Sequence, residues 1–146
     1  MSAAIIAVVG TLAGSALTGL LGYVAAQRGE LRWRRVDALT ELSSAATDHR
    51  RTMYSRFNLE RSGTATGGEL AAAKAESYAT RAAVTAPLVR VRLLIPDVRV
   101  RAAATELVSA TYALRDAVTQ AGLDRAREAA LAAHDAFVDT AASYLA

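Results

Sequence analysis

The chain has two histidines, and each sits beside an aspartate: Asp48–His49 and His134–Asp135. Imidazole next to carboxylate is the raw material of general-base chemistry and of metal binding. A helical metal site, however, wants its ligands on one face, commonly at i and i+4. Residues at i and i+1 point in different directions on a helix. The expected reading is therefore structural, with His49 half-buried on a helix seam and His134 on the surface. The chain has no cysteine, which excludes disulfides and thiolate nucleophiles. The segment "SGTATGG", Ser62 to Gly68, is glycine-rich but carries no lysine, and no strand precedes it. It is a turn and not a phosphate-binding loop. The carboxylates are scattered, with no pair placed for acid–base work. The expectation is a protein that is not an enzyme, with no catalytic residue, no metal and no cofactor.

Arginine is the other residue type that could do chemistry. The chain has a formal net charge of +3, with 17 basic and 14 acidic residues, and all but Lys74 of the basic ones are arginine. One block is "TDHRRTMYSRFNLER", Thr47 to Arg61. Its Arg50, Arg51 and Arg56 are candidates for a partner surface, although Asp48 and Glu60 lie within helical ion-pairing reach of Arg51 and Arg56. A second candidate patch is Arg90, Arg92, Arg99 and Arg101, on both sides of Ile95–Pro96–Asp97. It lacks the aromatic platforms that single-stranded nucleic acids stack on. A protein partner is expected ahead of nucleic acid.

The elements that must position these residues begin with an apolar run. No charged side chain occurs from Ser2 to Gln27. A helix of about 25 residues spans roughly 37 Å, against about 30 Å of bilayer hydrocarbon. The expectation is a transmembrane anchor over residues 1–27. Arg28, Arg32, Arg34 and Arg35 follow it at once, so the positive-inside rule orients the chain N-out and C-in at the plasma membrane. Tyr23 suits the interface, and Trp33 the headgroup layer or the start of the soluble part. The alternative is a signal peptide cut after Val24–Ala25–Ala26, giving a secreted protein. Against it, no basic residue precedes the run, and the run exceeds a signal peptide's apolar core. Within the run, Gly10, Gly14, Thr18 and Gly22 recur every four residues beside Ala7, Thr11, Ser15 and Gly19. In lipid, a face of small residues lets two helix backbones approach closely. The expectation is a homo-oligomer, or docking on another membrane helix.

Residues 28–146 read as an all-α bundle of about four antiparallel helices on the cytoplasmic side. The first has an apolar seam of Val36, Leu39, Leu42, Ala46, His49, Met53 and Phe57, with Gly29 its weak point. The second opens on a capping box, Thr66 with Glu69, and carries Leu70, Ala73, Ser77, Thr80, Val84, Leu88, Val91 and Ile95 inward past a Pro87 expected to bend it. "VRVRLLIPDVRVR", Val89 to Arg101, alternates like a hairpin but lacks the turn glycine, so a helix break is expected at Pro96 or Asp97. The third helix is then expected to run to Ala121, with Val100, Leu107, Leu114 and Val118 inward and Gly122 as its C-terminal cap. Asp124 is expected to cap the fourth, which carries Ala126, Ala130, Phe137 and Ala141 on one face. Alanine-lined faces bury little area each, and a second chain would supply more.

"DHRRTM" (Asp48 to Met53), "AESYATRAAVTAPL" (Ala75 to Leu88) and "RAREAALAAHDAF" (Arg125 to Phe137), behind a glycine-bearing apolar N-terminus, give the chain a further character. It resembles the KilB-like proteins, small membrane-associated proteins of actinobacterial conjugative plasmids. The resemblance implies a role in plasmid transfer or spread along the mycelium, with lethality under uncontrolled expression. It carries over no catalytic residues. The expected function is a non-enzymatic anchored protein that self-associates or scaffolds partners at the membrane. The alternatives are a membrane-tethered nucleic-acid binder and a membrane-perturbing toxin, the latter disfavoured because one uncharged helix offers no pore lining.

Overall fold

The structure, a computed structural model, describes the backbone from residue 2 onward and the side chains of residues 29–146. Its helices are α1 (Ser2–Arg61), α2 (Gly67–Leu94), α3 (Val98–Ala113) and α4 (Gln120–Leu145), with a 3₁₀ turn at Leu114–Asp116. Among the described residues there is no strand. The chain divides into two compact units, Met1–Arg34 and Arg35–Ala146, each considered by itself. The expected anchor, the glycine face (Gly10, Gly14, Thr18, Gly22), Tyr23 and Arg28 lie outside the described side chains. Among residues 29–146, whose side chains are described, no helix is long and apolar enough to cross a membrane. Gly29, the expected weak point, lies within α1.

The second unit is a bundle, and its side-chain contacts give the helix directions. Along α1, Arg35, His49 and Arg56 meet Leu94, Thr80 and Ser77 in turn. Numbers rise on α1 as they fall on α2, so the two are antiparallel. Ser43 meets His134, and Tyr54 lies under Arg127, so α4 is antiparallel to α1 as well. Arg92 reaches Thr105 and Tyr112 reaches the Arg81 carbonyl, which sets α3 antiparallel to α2. The seams predicted from spacing converge on one core. Ala38, Leu39, Leu42 and Ala46 of α1 join Val84 and Val91 of α2, Val100, Ala104 and Leu107 of α3, and Phe137 and Ala141 of α4. A smaller cluster of Met53, Leu114, Leu123 and Ala130 fills the other end.

Local chemistry explains where the helices start and stop. The Thr66 hydroxyl accepts from the Glu69 N–H at 3.3 Å, and the Glu69 carboxylate accepts from the Thr66 N–H at 2.7 Å. This reciprocal bonding satisfies two otherwise orphaned donors, and it holds the Glu69 carboxyl below its ordinary range. α1 ends at Arg61 because Gly63 takes a left-handed φ of 67°, a conformation that Cβ-bearing residues adopt at a cost. At the other end of α2, Pro96 forces Ile95 into extended backbone, with φ −114° and ψ 108°. Asp97 then caps α3, accepting from the Arg99 and Val100 N–H groups at 2.8 and 3.2 Å. Pro87 is buried inside α2, which continues to Leu94.

The end of α3 departs from expectation. It stops at Ala113 and not at Ala121. The reason is that Thr119, in extended backbone, caps α4 through its hydroxyl, which accepts from the Gly122 N–H at 3.1 Å. Gly122 is thus in the first turn of α4 and does not cap α3. Asp124 is not the cap either; it accepts from the Gln120 amide at 2.9 Å. The turn that results puts Leu114 and Leu123 into the small cluster and leaves Val118 81% exposed.

Gly63 and Gly67 both have open space where a Cβ would stand. Only Gly63 has the left-handed backbone. Gly63→Ala is therefore expected to cost about 1 kcal/mol of stability. Gly67→Ala, at the first position of α2, is expected to be neutral or to stabilise by about 0.5 kcal/mol. Urea unfolding of the two variants checks the difference; equal effects would mean that backbone conformation is not the cause.

Candidate functional site

The polar residues singled out by spacing fall into separate settings. On α1, Arg51 lies 3.5 Å from Asp48 and Arg56 lies 2.7 Å from Glu60. Exposed pairs of this kind contribute only about 0.5 kcal/mol each. Arg56 also donates to the Ser77 hydroxyl at 3.1 Å. Arg50 turns toward α4. With Arg51, Tyr54 and Arg127 it lines a cleft of about 220 Å³. Its Nη1 is buried without a hydrogen-bond partner. Burial and the neighbouring Arg127 charge lower its affinity for the proton, and Asp135 partly offsets them. Arg127 lies over the Tyr54 ring at 5.4 Å.

The second patch does not form one surface. Arg90 faces α1, where it donates to Asp37 at 2.8 Å and makes a short bond to Glu41. Bonding to Asp37 and the charge of Glu41 hold its guanidinium above the ordinary arginine range. Arg92 faces α3 and reaches the Thr105 hydroxyl at 3.4 Å. Arg99 pairs with the capping Asp97 at 3.2 Å, chiefly through which the Asp97 carboxyl is held low. Arg101 is exposed.

Of the residues expected at a membrane interface, Arg34 donates to Glu30 at 2.5 Å and Trp33 is 75% exposed. Arg32 is exposed as well. Arg35 serves the bundle: its Nε donates to the Leu94 carbonyl at 3.1 Å, and its guanidinium lies 5.8 Å from the Tyr144 ring centre.

His49 is buried more deeply than expected, with 2% exposure. Its Nδ1 lies 2.9 Å from the Thr80 Oγ1. The Thr80 hydroxyl donates its one hydrogen to the backbone, with the Glu76 carbonyl 3.1 Å away. It is left to accept, so Nδ1 carries the imidazole proton, an assignment made from the bonding network. The ring meets Tyr112 edge-on, with centroids 5.4 Å apart. Burial, and secondarily the Arg81 charge, lower its pKa from 6.5 to about 4. His134 is half-buried, its Nε2 2.7 Å from the Ser43 hydroxyl. Among the described residues no three His, Asp or Glu side chains converge as a metal site would need.

His49 also lines a cleft of about 380 Å³ between α1, α2 and the end of α3. Phe57, Tyr78, Arg81 and Tyr112 contribute to its walls. Spacing alone did not point to Arg81, Tyr112 or Arg127. Arg81 follows the seam residue Thr80, and its role depends on what α3 places opposite.

Residues 36–145 match the family described as KilB plasmid transfer protein. Over 145 residues the chain is 42% identical to Protein KilB of Streptomyces lividans, covering 97% of each. The chain belongs to the KilB plasmid transfer family. No solved structure matches it significantly. The KilB match covers nearly all of the second compact unit, Arg35–Ala146. In this KilB-family chain, the His49–Thr80 and Ser43–His134 contacts and the Arg50–Arg127 cleft all fall within the matched region.

Proposed function

We propose that this KilB-family protein acts in plasmid transfer as a non-enzymatic membrane-anchored scaffold. The apolar run from Ser2 to Ala26 is its single-pass anchor, oriented N-out and C-in. The bundle is presented to protein partners on the cytoplasmic side. The small-residue face of Gly10, Gly14, Thr18 and Gly22 joins copies of the chain. Family membership carries the plasmid-transfer part of this reading. The uncharged run followed by Arg28, Arg32, Arg34 and Arg35 carries the anchor. The internal pairing of Arg90 and Arg99 favours protein partners over a nucleic-acid backbone, which needs unpaired cations.

A single cysteine appended after Ala146 tests the topology, because the chain has none of its own. Labelling by a membrane-impermeant maleimide only after permeabilisation, with the N-terminus intact, is the expected result. Labelling of intact cells together with loss of about the first 26 residues would mean signal-peptide cleavage and would end the anchor reading. Cysteine cross-linking at Gly14, abolished when a neighbouring glycine becomes isoleucine, tests the association face.

A further inference from the structure

The cleft beside His49 is not accounted for by anchoring or scaffolding. Its volume of about 380 Å³ suits a small molecule better than a polypeptide segment. Its walls combine apolar and basic groups. Met53 and Leu114 are buried at its base, Phe57 is half-buried, and Tyr78 stands at the rim with 58% exposure. Three guanidiniums reach it, those of Arg56, Arg81 and Arg115, against one carboxylate, Glu60. Arg56 engages Glu60 at 2.7 Å, and Arg115 engages Asp116 at 3.1 Å. Arg81 differs from both. Among the described residues it has no carboxylate within ion-pairing distance.

Arg81 is nonetheless held in place. Its guanidinium lies over the Tyr112 ring at 4.7 Å, and the Tyr112 hydroxyl donates to the Arg81 carbonyl at 3.1 Å. A guanidinium held against an aromatic face by cation–π attraction still has N–H donors to offer, and their planar fork matches an oxyanion. We infer that this cleft binds a small organic anion, with an oxyanion head on Arg81 and a planar apolar body against Phe57 and Tyr78. A cation is repelled by the surplus of guanidiniums. A neutral apolar molecule would cover Arg81 without replacing its water, at a desolvation cost.

The test uses the full chain in a neutral detergent, with titration calorimetry and 2-naphthoate as the probe. The neutral alcohol 2-naphthalenemethanol is the matched control for partition into detergent. The expected result is saturable one-site binding of the anion alone. Arg81→Gln weakens it by about tenfold or more, the usual size of a lost charge-assisted hydrogen bond. Tyr78→Ala, at an exposed position that the fold tolerates, weakens it several-fold. Arg127→Gln, in the other cleft, leaves it unchanged. No saturable binding into the millimolar range, equal binding of the alcohol, or wild-type binding by Arg81→Gln would each overturn the inference. None of these readouts depends on the anchor or on plasmid transfer.

Discussion

Phe137→Ala lowers the stability of the protein by about 3–5 kcal/mol. Among the described residues Phe137 is the largest fully buried side chain, at 1% exposure, and it belongs to the main core of all four helices. The usual consequence of such a truncation is softened where neighbours can move into the space. Here many neighbours are alanine: Ala38, Ala46, Ala104 and Ala141 share the cluster. Alanine has no rotamer with which to fill a gap, so the helices themselves would have to shift. A groove of about 250 Å³ already runs past Phe137 between Leu39 and Leu145, and the truncation enlarges it. Domains of this size have only about 5–15 kcal/mol in total, so the variant loses a large share of it. The expected melting temperature falls by about 10 °C or more, followed by circular dichroism. Val138→Ala is the internal control. Val138 is the next residue but 43% exposed, and its truncation costs less than about 1 kcal/mol. Equal effects at the two positions would mean that the core is not organised around Phe137.

The same alanine-rich packing explains what could be read in advance. The seams of α1, α2 and α4 were legible because apolar spacing is a local property, and each seam residue needs only some core to face. The capping box at Thr66 and Glu69 and the break at Ile95–Asp97 were legible because they depend on residues within three positions of each other. The end of α3 was not. Leu107, Leu114 and Val118 follow helical spacing, and Thr119 and Asp124 are both capable caps. The choice between them is made at a distance, where Met53 of α1 and Ala130 of α4 receive Leu114 and Leu123. The charged residues divide in the same way. Arg51 with Asp48 and Arg56 with Glu60 are neighbours on one helix. Arg90 looked free until the antiparallel register of α1 and α2 placed Asp37 and Glu41 opposite it, 53 and 49 positions away in sequence. His49 and Thr80 were each visible on a seam, but their hydrogen bond follows from that register as well. The anchor and glycine face, Ser2 to Ala26, rest on sequence alone.

Acidification from neutral pH to pH 4.5 is expected to remove about 2 kcal/mol of stability through His49 alone. The folded protein holds this imidazole neutral, with a pKa lowered to about 4 against 6.5 for the free group. Between those values the unfolded chain binds a proton that the folded chain does not. Stability is therefore complete above about pH 6.5, declines as the pH falls, and reaches its full loss below about pH 4. Glu69 and Asp97 also have lowered pKa values and also lose stability on protonation, but from starting values of 4.5 and 3.8. Most of their contribution is lost below about pH 4.5, so the decline between about pH 6.5 and 5.5 belongs to the imidazole. His49→Asn keeps a side-chain N–H for Thr80 and removes the titration. It is expected to be less stable at neutral pH, having lost the edge contact with Tyr112, yet nearly flat across the interval in which the parent declines. Urea unfolding at several pH values measures both slopes, and parallel slopes would rule out His49 as the titrating group. Arg81→Gln supplies a second arm. It removes the positive charge that secondarily depresses His49, so the decline should begin at lower stability cost and end at a higher pH. The group that holds the anion in the proposed cleft is thus the same group that helps keep His49 neutral. An anion seated on Arg81 would offset that charge, make protonation of His49 less unfavourable, and so couple occupancy of the cleft to the acid stability of the bundle.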